Sequence, residues 1–103
     1  MIGRRVASLA EIEHPGDYCG PVPCFCCEGE PACFFLLPNA RDEGASGGQR
    51  SVNHVHFPPH TYRECPDGSL EIRNSIGNLI GGDPGTDDGW HGYLDEGHVW
   101  RQV

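Results

Sequence analysis

The sequence predicts an all-β or mostly-β fold: one small, loop-rich domain over residues 1–103, made of short antiparallel strands and closed by a C-terminal hairpin. Three observations predict it. Gly 15 and Pro 9 stand among 103 residues, a turn density that suits short strands and not a helical bundle. Apolar residues alternate with polar ones over Ser51–Phe57 and Ser69–Arg73, the period of a strand with one buried face. Between these runs lie Pro/Gly/Asp clusters at regular short spacing, such as Pro66-Asp67-Gly68.

Residues 1–13 admit two readings. Ser8 and Glu11 have the spacing of a capping box for one helical turn, while Gly3 before and His14-Pro15-Gly16 after fit a strand equally well. Residues 15–33, rich in Pro, Gly and Cys, are expected to be irregular. Cys33-Phe34-Phe35-Leu36-Leu37 reads as a buried strand ended by Pro38-Asn39. The polar stretch 39–50 reads as a loop. In the strand Ser51–Phe57, Val55 and Phe57 share one face and Val52, His54 and His56 the other. After the turn at 66–68, Leu70 and Ile72 point inward and Glu71 and Arg73 outward, with Asn78–Ile80 extending or pairing with this strand. Residues 81–89 read as a second loop. The hairpin runs from Trp90 to Leu94, turns at Asp95-Glu96-Gly97 and returns over His98–Gln102. Trp90, Tyr93, Leu94, Val99 and Trp100 are expected to supply much of the core.

Acidic residues outnumber basic ones 15 to 7, for a formal charge of −8. This argues against direct binding to nucleic acid or an anionic membrane. All seven basic residues are Arg; without Lys, Schiff-base chemistry and a Walker-type phosphate loop are excluded. The longest apolar run, Cys33–Leu37, is far shorter than a membrane span. Val6–Ala10 is too short for a signal peptide core. A cytoplasmic location is expected, where thiols stay reduced and clustered Cys read as metal ligands.

Five of the six cysteines lie in residues 19–33: Cys19, Cys24, Cys26, Cys27 and Cys33. Cys24-Phe25-Cys26-Cys27 offers both C-x-C and C-x-x-C spacing. Thiolates suit zinc, which takes four ligands in a tetrahedron. The expected set is Cys24, Cys26 and Cys33 with His91 as the fourth ligand and Cys27 as substitute, making the fold zinc-stabilised. Reduced cysteines that merely fill the interior, or a disulfide knuckle in an oxidising compartment, are the structural alternatives.

His54, His56 and His60, counted from Gly48, give G-x5-H-x-H-x3-H, which is similar to the first metal motif of cupins, though His60 stands where cupins place Glu and no second motif follows. Their plainer reading is as strand residues making hydrogen bonds. Asp83, Asp87, Asp88 and Asp95 lie among glycines; a calcium loop is one reading, solvated turns the other.

Leu70, Ile72, Ser75 and Ile76, then Trp90-His91-Gly92-Tyr93-Leu94-Asp95-Glu96-Gly97-His98-Val99-Trp100, together with the knuckle Pro23-Cys24-Phe25-Cys26 and Cys33, carry a resemblance. The chain resembles an uncharacterised family of small phage and bacterial Cys/His-containing proteins, often mislabelled ammonia monooxygenase. The resemblance spans roughly residues 23–37 and 68–101. It implies a phage-type, zinc-binding small protein and no established activity. An oxygenase role fails physically, for the sequence offers neither a membrane span nor a convincing copper site.

Three functions follow as expectations. The first is an accessory or virion-associated protein, in a host cytoplasm or a virion, that meets a protein partner, other phage proteins among them, and uses zinc for structure. The second is a small metalloenzyme, cupin-like or hydrolytic, using His54, His56 and His60, with Glu28, Glu30 or Glu64 as base. The third is an acidic inhibitor that mimics nucleic acid.

Overall fold

The computed structural model describes residues 1–24, 28–39, 52–78 and 90–103. Among these, eight strands form two four-stranded sheets. The first holds β1 (Arg4–Arg5), β2 (Asp17–Pro23), β3 (Pro31–Phe35) and β4 (Asn53–His56) in that order. The second holds β5 (Thr61–Glu64), β6 (Leu70–Asn78), β7 (Trp90–Asp95) and β8 (Val99–Gln102). Pairing is antiparallel except between β1 and β2. The all-β expectation thus holds. No described helix is long and apolar enough to cross a membrane.

The N-terminal segment takes both of its expected forms. Arg4–Arg5 is a strand and Leu9–Glu11 a single 3-10 turn. The capping box does not form: Ser8 Oγ bonds the Glu11 carboxylate at 3.1 Å and leaves the backbone uncapped. Met1–Gly3 lies against β8, with Gly3 N–H donating to His98 O and Trp100 N–H to Met1 O. Residues 1–5 therefore pair with both sheets in turn.

Residues 15–24 and 28–33 are more regular than their composition suggests. Pro21 and Pro23 sit in β2 beyond its pairing with β1, so no neighbour on that side asks for their missing N–H. A register shift between Cys19 and Val22 absorbs the irregularity at Gly20. There φ is +150° and a Cβ would strike the Ala32 carbonyl and Cys33 Cα. Thr61–Glu64 was legible as no element. It pairs with β6 around the Pro66-Asp67-Gly68 turn and completes a hairpin.

The run 32–37 is continuously apolar because both of its faces are packed. Cys33, Phe35 and Leu37 join the main core between the sheets, with Tyr18, Phe57, Leu70, Ile72, Ile76, Trp90, Leu94 and Trp100. Ala32, Phe34 and Leu36 face outward into a second, smaller cluster with Ile12, Cys19 and Cys24. Of the five hairpin residues expected in the core, Trp90, Leu94 and Trp100 are there. Tyr93 is not: strand alternation turns it outward, under the guanidinium of Arg101 at 4.6 Å. Val99 is half-buried at the turn.

Two charged clamps hold the layers. Arg5 grips Glu64 with both Nη atoms at 2.6 and 2.8 Å and donates to Gly20 O, joining β1 to β5. Asp17 accepts from Arg4 and from the backbone N–H groups of Glu13 and His14. Burial pushes the Asp17 carboxyl up, but these donors outweigh it and hold it below its ordinary 3.8. A carboxyl held low when folded stabilises at neutral pH and loses that contribution as pH falls through its folded value. Asp17→Asn, which turns an amide toward the same donors, is expected to cost about 2 kcal/mol at neutral pH. The gap to the parent should narrow in acid, as measured by urea denaturation across pH.

Candidate metal centre

Cys24 follows the last residue of β2. Its N–H donates to Glu30 O at 2.8 Å and its carbonyl accepts from Gly29 N–H at 2.9 Å. These two bonds close the base of the β2–β3 connection. Glu28 and Gly29 take left-handed φ of 56° and 86° there. Glu28 is thereby a non-Gly residue in a region that glycine favours. The backbone fixes Cys24, and its side chain is fully buried on the outer face of the first sheet.

His54 and His56 come to the same face from β4, two residues apart. The register places Phe34 opposite His54 and Ala32 opposite His56. Phe34 stacks on His54, with ring centroids 5.2 Å apart at 29°. Ala32 also pairs with Val22 on its other side, so a small side chain stands between β2 and His56. Over it, Cys24 Sγ comes within 3.3 Å of His56 Nε2. The two imidazoles meet edge to face at 4.8 Å.

The result is one Sγ and two imidazole nitrogens, all within 4.8 Å of one another. A tetrahedral zinc with bonds of about 2.0–2.3 Å sets its ligand atoms about 3.3–3.7 Å apart. The group is therefore of a size to hold an ion. Desolvation, then the neighbouring His56, lower the His54 pKa, favouring the neutral ring that binds metal. Cys24 is buried, His56 half-buried and His54 exposed, so the group opens to solvent on the His54 side.

Among the described residues, Cys33 and His91 of the expected ligand set are not grouped with Cys24. Cys33 lies next to Ala32 and Phe34 and so faces the opposite way, into the main core. Burial pushes its thiol far above the ordinary range. His91 belongs to β7, in the other sheet. It alternates with buried Trp90 and Gly92 and so faces outward, away from the shared core. Cys26 and Cys27 lie outside the described residues. The His54/His56/His60 trio is also divided. His60 lies in the turn after β4, and its Nε2 faces Ser75 O in the second sheet at 3.1 Å.

Cys65, Asp67 and Glu96 form a second close group. Its carboxylates are already engaged, Asp67 by Ser69 and Glu96 by Arg63. Of the four acidic residues that read as solvated turns or a calcium loop, Asp83, Asp87 and Asp88 lie outside the described residues. Asp95 bridges Arg73 and Arg101 as a cross-strand ion pair.

The Cys24–His54–His56 combination was missed because each half was read alone. H-x-H on one strand face was visible, and so was the cysteine cluster. What joins them is the β3–β4 pairing across an interval of 17 residues between Phe35 and Asn53, which carries no local signal. Comparison with protein-family models, with curated proteins and with solved structures finds no match to this chain.

Proposed function

We propose that the chain is a small accessory protein of the phage type, at work in a host cytoplasm or a virion. It acts by contact with a protein partner and not by catalysis, and Cys24, His54 and His56 hold a zinc ion as a structural brace. The observation that carries the zinc reading is the convergence of one thiol from the end of β2 and two imidazoles from β4. A thiolate with imidazoles and no carboxylate in the group favours zinc over magnesium or calcium. The ion would tie the base of the β2–β3 connection to the short edge strand β4, crossing all of β3. In sequence, Cys26 and Cys27 follow Cys24 by two and three residues, the C-x-C and C-x-x-C spacing from which a fourth ligand would be drawn.

X-ray absorption on the purified, zinc-loaded protein tests this. The expected first shell contains sulfur at about 2.3 Å and nitrogen at about 2.0 Å. A shell of oxygen and nitrogen alone, or protein that takes up no stoichiometric zinc, would overturn it.

A further inference from the structure

We propose that the cleft between the β2–β3 connection and β5 docks a partner-protein segment that presents one aromatic side chain flanked by Arg or Lys. The proposal deepens the reading of the chain as a binding protein and rests on it.

The cleft has a volume of about 220 Å³ and is lined by Pro21, Val22, Pro23, Gly29, Pro31 and Tyr62. Ligand sites for drug-sized molecules run to about 300–1,000 Å³, so this one suits a single anchoring side chain. Three of its six lining residues are prolines, which bring flat apolar rings and no backbone N–H. Among them, the Pro31 carbonyl is already taken by Phe57 N–H. The walls therefore offer ring surface more than hydrogen bonds, which favours an aromatic occupant. Tyr62 is 42% exposed, unusual for a large apolar ring in this domain. It is held from behind by Phe57 at 4.6 Å between centroids. A ring already fixed loses little freedom on binding.

The rim sets the flanking charge. Glu28 and Glu30, both exposed, stand on either side of Gly29. Glu64 shares the Tyr62 face of β5, two residues on, but Arg5 already pairs with its carboxylate, so the open rim charge is that of Glu28 and Glu30. The nearest cation along β5, Arg63, alternates to the other face, where Glu71 and Glu96 hold it. With a chain charge of −8, a basic segment is attracted while nucleic acid and anionic lipid are repelled.

Amide NMR of the ¹⁵N-labelled, zinc-loaded chain, titrated with acetyl-Arg-Trp-Arg-amide, tests this. Saturable shifts are expected at Val22, Gly29 and Tyr62. Affinity should be about fivefold or more above that for the Arg-Ala-Arg and Glu-Trp-Glu peptides. Tyr62→Ala should remove the saturable shifts and leave the rest of the spectrum in place. The double variant Glu28→Lys/Glu30→Lys should reverse the preference toward Glu-Trp-Glu. Equal response to the Trp and Ala peptides, shifts centred elsewhere, or no effect of Tyr62→Ala or of the charge reversal would overturn the proposal. Zinc measured on the same sample separates the two failures: absent zinc counts against the brace, absent docking with zinc present against this cleft.

Discussion

Trp100→Ala is expected to lower stability by about 4 kcal/mol, in the range seen when a large buried aromatic is truncated. Trp100 is 3% exposed and sits where both sheets meet. Its ring contacts Tyr18, Phe35 and Trp90 at centroid distances of 6.2, 5.4 and 5.7 Å. Its Nε1–H donates to Gly16 O at 2.9 Å, a bond buried away from water. Truncation opens a cavity and leaves that carbonyl with only the longer bond from Arg4 N–H at 3.4 Å. The backbone around it is equally committed: a Cβ on Gly3 would meet Trp100 Nε1 at 2.7 Å. Trp100→Phe separates the two losses. It keeps most of the packing and removes the N–H, so about 1–2 kcal/mol should go. Chemical denaturation of the three proteins measures both steps. An alanine variant as stable as the parent would mean that the intersheet contact contributes little.

Chelation is the second large effect expected. A domain of this size with 37% hydrophobic residues has little stability to spare. An ion held at about a thousand times its dissociation constant adds about 4 kcal/mol by mass action. Its removal should lower the melting temperature by about 15 °C or more. The main core includes none of Cys24, His54 and His56, so the stripped protein should retain β structure at low temperature. Loss should start with edge strand β4 and the β2–β3 connection, whose amides should exchange first. Acid acts in the same direction, since protons compete with zinc for thiolate and imidazole. A melting curve unchanged by chelator would show that the brace bears no weight.

The parts of this fold that were legible in the sequence are those with short-range signals. Val55 and Phe57 alternate with His54 and His56, and the strand faces are as that pattern requires. Leu70 and Ile72 turn inward for the same reason. The terminal hairpin shows itself through its Asp-Glu-Gly turn. What was not legible depends on partners remote in sequence. Pro21 and Pro23 look like breakers, yet both lie beyond the pairing of β2 with β1, and Pro31 begins its strand opposite Pro23. Thr61–Glu64 is wholly exposed and carries no apolar signature. For the candidate centre, the donor types were visible and their grouping was not. Proximity in sequence favoured Cys33, but a strand's period of two turns adjacent residues to opposite faces. Cys33 is thereby committed to the core and its neighbour Ala32 to the face that carries Cys24. The pairing that carries His54 and His56 past Phe34 and Ala32 is a tertiary fact.

Zinc content after dialysis, across a small set of variants, tests the central claim most directly. The parent should hold one zinc per chain. Cys24→Ser and the double variant His54→Ala/His56→Ala should each lose it, while His91→Ala and Cys33→Ala should keep it. Zinc retained by the His54/His56 double variant and lost from His91→Ala would contradict the account and restore the ligand set that sequence spacing alone suggests.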